Sequence, residues 1–194
     1  MRLAKFTHKK GDIKMVYIFL ANGFEEIEGL TVVDLLRRAE IDIRMVSITG
    51  SKQIISSHNI KVEADLLFED INIEGSDMLI LPGGMPGTKH LAEHEGLVTA
   101  LKEYANKGKT IAAICAAPSV LGMNGILEGK RATCYPGYED KLLGATVSSN
   151  KTEVDGNIIT GKGMGASIEF SLCIIEHLKD KETAVNIAKA IQYV

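Results

Sequence analysis

Hydrophobic residues along the chain switch repeatedly between short continuous runs and helical periodicity. The run 15–21 (MVYIFLA) has the length and β-rich composition of a buried strand, and in 26–39 Ile27, Leu30, Val33, Leu35 and Leu36 fall mostly on one helical stripe. Residues 41–48 predict a second strand, ended by Thr49 and Gly50, and 54–62 reads as a hairpin around Ser57, His58 and Asn59. A buried strand at 77–82 runs into the turn PGGMPG, followed by one or two helices over 88–106 and a strand at 110–114 rich in small alanines. A helix near 118–123, strands near 131–134 and 157–160, and helices over 166–178 and 181–191 complete the pattern.

Apolar strands alternating with helices through short loops predict a parallel sheet covered on both faces. The expected fold is therefore α/β: a flavodoxin-like, doubly wound sandwich with a mostly parallel central sheet. Ligands of such sheets bind beyond the carboxyl ends of the strands, which directs attention to the loops 22–28, 82–87, 115–118 and 161–167. No internal repeat or low-complexity linker interrupts residues 15–194, read as a single domain.

Composition changes this picture little. The 194 residues are 45% hydrophobic and 24% charged, with a net charge of −3, which excludes disordered and collagen-like classes. A chain of this size buries about 70% of its unfolded surface and needs no metal or disulfide for support. Residues 1–14 carry Arg2, Lys5, Lys9, Lys10 and Lys14 against Asp12, a charge of +4 that leaves −7 on the remainder. That segment is read either as a disordered basic extension or as an upstream start, since Met15 stands directly before the first strand. No nucleic-acid signature or membrane span is evident. Three widely spaced cysteines, Cys115, Cys134 and Cys173, offer neither a disulfide framework nor a CxxC pair, so a reducing, cytoplasmic location is expected.

The sharpest chemical feature is Cys115, directly after a buried strand and before a predicted helix, with small Ala113, Ala116 and Ala117 around it. This is the arrangement of a nucleophile elbow, in which backbone N–H groups follow the exposed side chain. A buried structural cysteine fits the local pattern equally well. A free thiol is only about 3% ionised at pH 7, and near-complete ionisation asks for roughly 4 kcal/mol. A helix terminus supplies at most about 2 kcal/mol, so a second hydrogen-bond donor to sulfur is expected. In NGFEEIE (22–28), Glu25 and Glu26 suit the first turn of a helix, whereas Glu28, beside Gly29 and among apolar residues, suits a buried acid able to hold a proton. Gly83 and Gly84 could turn N–H groups toward an anion or serve as a plain turn. Two motif matches are set aside. His90 and His94 fit HxxEH in a very polar stretch without an evident third ligand, and 161–166 fits GxGxxA without the acid that a dinucleotide site requires. Neither a metal nor a cofactor is expected.

Taken in order, NGFEEIE, LPGGMPG, AICAAP and GKGMGASIEF resemble the ThiJ/PfpI superfamily, in the branch of the parkinsonism-associated protein DJ-one and its bacterial relatives, over residues 15–194. The resemblance implies that Cys115 is a nucleophilic, oxidation-prone cysteine, that Glu28 is the buried carboxyl bonded to it, and that Gly84 and Ala116 supply backbone donors. It also implies a homodimer. Tyr135 stands where this branch often has a histidine, and His58 where the family has a polar or basic residue; with Gly83 these are candidate pocket residues. The implied activity is cofactor-free, glyoxalase- or deglycase-like conversion of small dicarbonyls or their adducts. The alternative is a redox-sensing protective or chaperone protein acting through the sulfinic acid of Cys115. A PfpI-type cysteine protease is disfavoured, because Ala116 replaces the histidine that follows the nucleophile there.

Overall fold

The computed structural model describes residues 15–194, so the predicted basic extension lies outside the described residues. The elements follow in chain order as β1 (Val16–Leu20), α1 (Glu26–Arg38), β2 (Ile43–Ser47), β3 (Gln53–Ile55), β4 (Lys61–Glu63), β5 (Leu66–Leu67) and β6 (Met78–Leu81). Then come α2 (Gly87–Glu93), α3 (Glu95–Asn106), β7 (Thr110–Ile114), α4 (Pro118–Gly122), β8 (Arg131–Ala132), β9 (Thr146–Val147), β10 (Thr152–Asp155), β11 (Ile158–Gly161), α5 (Ser167–Leu178) and α6 (Lys181–Ala190). Seven strands form one sheet in the order β10-β11-β7-β6-β1-β2-β5, parallel except for the β10–β11 pair. This is the expected α/β sandwich with a mostly parallel centre.

Strand alternation builds the two layers. Along β1, Val16, Ile18 and Leu20 face a core shared with Val32 and Leu36 of α1 and with Phe170 and Ile174 of α5. Tyr17 and Phe19 face the opposite core, with Leu91 of α2, Leu97 and Leu101 of α3, and Val120 and Leu121 of α4. Met78 and Ile80 against Leu79 and Leu81 repeat this division in β6, as Ala112 and Ile114 against Ile111 and Ala113 do in β7. Because both faces are covered, period-2 side chains are apolar on both sides, and the strands read as unbroken hydrophobic runs.

Two details depart from the sequence pattern, and a third decides a point it left open. The strand expected near 131–134 is short and lies outside the main sheet, where β8 pairs with β9. An antiparallel edge strand, β10, joins β11 through Gly156 and Asn157, with Gly156 at φ +61° as a tight hairpin turn requires. The stretch 88–106 divides into two helices because His94 leaves the helical conformation and its Nδ1 accepts the Leu97 N–H at 3.0 Å, capping α3. Among the described residues, no helix is long and apolar enough to cross a membrane.

Candidate active site

The chain order of the sheet reverses around β1 and β6, the position at which open α/β sheets form a crevice. Three backbone hydrogen bonds hold the surrounding loops in register there. Glu25 N–H donates to Gly83 O at 2.9 Å, Gly87 N–H to Gly23 O at 3.1 Å, and Cys115 N–H to Gly161 O at 2.9 Å. These bonds join 22–28 to 82–87 and 115–118 to 161–167, and the close approach of Gly83 to Cys115 brings the two pairs into one site.

Cys115 sits just past β7 with φ +67°, a left-handed conformation uncommon for a residue with a side chain. The elbow turns its half-buried thiol toward the crevice. Backbone N–H groups of Ala116 and Gly84 bond the sulfur. Helix α4 has only five residues and starts at Pro118, so these donors come from the elbow and the glycine loop, while the helix adds little. Gly84 reaches its place with φ +92°, and a side chain there would strike the backbone of Phe24 and Glu25.

Glu28 lies in the first turn of α1 and is 1% exposed. One carboxyl oxygen accepts the Gly83 N–H at 2.9 Å, the Met164 N–H adds a second bond, and the carboxyl shares a hydrogen bond with the Cys115 thiol. Gly83 makes room for this pair. A methyl group on it would lie 2.5 Å from the Glu28 oxygen and 2.6 Å from Cys115 Cβ.

Burial pushes Glu28 up from 4.5 to about 7; the bond to Cys115 and the two backbone donors only partly oppose that, and the charge of Glu25 adds to it. Burial likewise pushes the Cys115 thiol far up, helped by the negative charge and hydrogen bonding of Glu28, against the pull of Ala116 and Gly84 N–H. Those two contributions of Glu28 hold only while it is ionised. When Glu28 carries the proton, the repulsion is gone and its hydroxyl donates to sulfur, which favours the thiolate. The pair therefore behaves as one unit sharing a proton, with backbone donors at each end: Ala116 and Gly84 favour the thiolate, Gly83 and Met164 the carboxylate.

The neighbouring acids do different work. Glu25 caps α1 by accepting the Glu28 N–H at 2.7 Å. Glu26 is buried too, but hydrogen bonds from its own backbone, Ser56 and His58 outweigh that and hold its pKa below the ordinary value.

The structure places the remaining candidates unequally. Tyr135 is at the site: its N–H donates to Cys115 O at 2.8 Å, and its half-exposed ring lies over Gly163. His58 is exposed, and its Nδ1 lies 2.9 Å from Glu26 Oε1. His90 is bonded to Asn22 O at 3.0 Å and His94 caps α3, so the HxxEH pair is divided between two helices and two structural tasks. Among the described residues, Glu25, Glu26 and His58 place ligand-type atoms within 4.8 Å of one another, as a cation would require; Glu26 and His58 are already bonded together and Glu25 is engaged in capping. Cys134 is buried and its thiol is pushed up to about 11 by burial; Cys173 packs on α5 with its sulfur 3.6 Å from Thr152 Oγ1. The Met164 N–H and the bare Gly163 are site features that spacing alone did not single out.

The model of the DJ-1/PfpI family matches residues 14–177. The chain belongs to the DJ-1/PfpI family. Protein DJ-1 homolog B of Arabidopsis thaliana is 39% identical over 177 residues, 90% of this chain and 40% of that protein. The chain spans less than half the length of the Arabidopsis relatives it matches, 40% of homolog B and 47% of homolog A. The glutathione-independent glyoxalase DJR-1.2 of Caenorhabditis elegans is 30% identical over 169 residues, covering 86% of this chain and 89% of that one. Oxidized DJ-1 of Toxoplasma gondii superposes with a TM-score of 0.88 at 35% identity, covering 92% of this chain and 97% of the other. The family match spans all four crevice loops, and the superposition shows the same fold.

The raised carboxyl has a measurable consequence for stability. Between its ordinary 4.5 and about 7 the folded chain holds a proton on Glu28 that the unfolded chain has released, so stability falls as pH rises through that window. Glu28→Gln keeps an oxygen for the Gly83 N–H but has no charge to bury. It should exceed the parent in stability by about 3 kcal/mol above pH 7, and the advantage should vanish near pH 4. Urea unfolding at both pH values measures this, and an unchanged difference between them would exclude a proton held on Glu28.

Proposed function

We propose that this DJ-1/PfpI chain is a cofactor-free enzyme that converts small reactive dicarbonyls, or the adducts they form, with Cys115 as nucleophile and Glu28 as proton donor and acceptor. The observation that carries the reading is the hydrogen-bonded pair of a half-buried thiol and a buried carboxyl whose pKa lies near 7. A general acid or base works best when its pKa lies near the working pH. The C. elegans relative carries a glyoxalase name.

In this mechanism, the thiolate tautomer of the pair adds to the aldehyde carbon C1 of R–CO–CHO, and the Glu28 proton passes to the aldehyde oxygen. A hemithioacetal results. Glu28, now a carboxylate, removes the C1 hydrogen as a proton and the electron pair forms an enediolate charged at the C2 oxygen; return of that proton at C2 and passage of the C1 hydroxyl proton to the C2 oxygen give a thioester. Water cleaves the C–S bond, releasing the 2-hydroxy acid and restoring the thiol. C1 is oxidised as C2 is reduced, so no external oxidant or reductant enters. The Gly84 and Ala116 N–H groups, already aimed at the sulfur, are placed to bear the negative charge that develops beside it.

A second reading draws on the same geometry. Peroxide would oxidise Cys115 to a sulfinic acid, whose oxygens accept from these same donors, making the chain a redox sensor or redox-regulated protective protein. We further propose a homodimer in the cytoplasm. The exposed Ile27, Ile55 and Ile60, on the first turn of α1 and on the β3–β4 hairpin bonded to the loop before it, support a covered face there. Sedimentation should give twice the mass of one chain.

With methylglyoxal, the parent should make lactate, Cys115→Ser none, and Glu28→Gln at least about 100-fold less. Lactate formation equal in the parent and Cys115→Ser would overturn the enzyme reading. Selective addition of two oxygens at Cys115 under mild peroxide, seen by mass spectrometry, would then support the sensor.

A further inference from the structure

Gly163 is a glycine that its backbone does not demand. Its φ of 164° and ψ of −170° are extended values open to any residue. Space explains it instead. A methyl group on Gly163 would lie 3.3 Å from Tyr135 Cδ2, 3.9 Å from Tyr135 Cε2 and 4.0 Å from Cys115 Sγ. One point thus touches both the tyrosine ring and the reactive sulfur, and the missing side chain lets the ring settle beside the thiol. The ring is held from the backbone as well, through the Tyr135 N–H bond to Cys115 O. Its other face is open to solvent, with Tyr135 51% and the adjacent Met164 54% exposed. Lys162, the one charged residue of the 161–167 loop, turns its amine away to Ser149 O at 3.3 Å.

Three sides of the sulfur then have separate chemical characters. In the tetrahedral adduct of an α-oxoaldehyde R–CO–CHO, C1 carries sulfur, oxygen, hydrogen and the carbon bearing R. The oxygen is drawn to the Gly84 and Ala116 N–H groups, and the C1 hydrogen must face Glu28. What remains for R is the side formed by Gly163 and Tyr135, apolar and half open.

We propose that Tyr135, seated against the bare Gly163, is a specificity-determining residue, and that the chain prefers α-oxoaldehydes whose R is aromatic or bulky and apolar over glyoxal, in which R is hydrogen. The proposal rests on the reading that Cys115 attacks the aldehyde and adds the substrate class. Contact between the ring and R persists into the transition state, so it should appear in kcat/KM. The gain from an aromatic pair corresponds to about 3- to 10-fold.

The test compares kcat/KM for phenylglyoxal and for glyoxal, followed as mandelate and glycolate. The parent should favour phenylglyoxal. Tyr135→Ala should lower the phenylglyoxal-to-glyoxal ratio about 3- to 10-fold, Tyr135→Phe should retain it, and Gly163→Val, which displaces the ring, should lower it in the same direction. Peroxide oxidation of Cys115, read by mass spectrometry in each variant, reports an intact site. A ratio unchanged by both Tyr135→Ala and Gly163→Val overturns the specificity proposal alone. A parent inactive on both aldehydes overturns the underlying enzyme reading, and this proposal with it.

Discussion

A carboxyl and a thiol that share one proton in a buried crevice set the terms for everything around them. Glu28 and Cys115 do not ionise together, because burial raises both and the charge of Glu28 opposes that of a thiolate. Four backbone N–H groups make the shared charge tolerable: Gly83 and Met164 serve the carboxyl, and Gly84 and Ala116 serve the sulfur. Backbone donors are fixed by the fold and do not reorganise when charge moves, which is the property that makes them useful in catalysis. The stability lost by ionising Glu28 in the crevice is the structural counterpart of a carboxyl poised near neutral pH.

That demand explains features that look arbitrary along the chain. Cys115 adopts a left-handed conformation because the strand must end abruptly for the thiol to leave the core. Gly83 lacks a side chain because the Glu28 oxygen and Cys115 Cβ occupy the place one would take, and Gly84 because the backbone of the first loop does. Glu25, two positions before the proton-bearing residue's own helical neighbour, caps α1 through the Glu28 N–H and so fixes where that carboxyl begins its reach. Around the proposed reaction, the sulfur has donors on one side, a proton carrier on another, and an apolar aromatic wall on a third.

Much of this was legible in order. The unbroken apolar runs at 15–21, 77–82 and 110–114 marked the central strands, since a strand covered on both faces has no polar side to show. Glu28 stood out because an acid among apolar residues on a helix calls for a partner. The small elements were not legible: β5 and β9 have two residues each, too few to carry a period, and β10 is a solvent-edge strand with mixed residues. The DGN turn at 155–157 was a usable signal for the β10–β11 hairpin. His58 illustrates the opposite difficulty. Its type and position drew attention in sequence, but its bond to Glu26 depends on the hairpin being tied to the loop before α1, which no local pattern shows.

By itself the sequence determined the layered α/β fold, the crevice loops and the residue types able to do thiol chemistry, because periodicity and side-chain chemistry are local properties of the chain. Tertiary structure alone decided which atoms meet. The Met164 N–H on Glu28, the glycine space that seats Tyr135 beside sulfur, and the sharing of one proton between residues 28 and 115 arise from loops distant in sequence. Burial and hydrogen bonding act through space, so the ionisation of a carboxyl that looks ordinary in sequence was settled only when four strands brought their ends together.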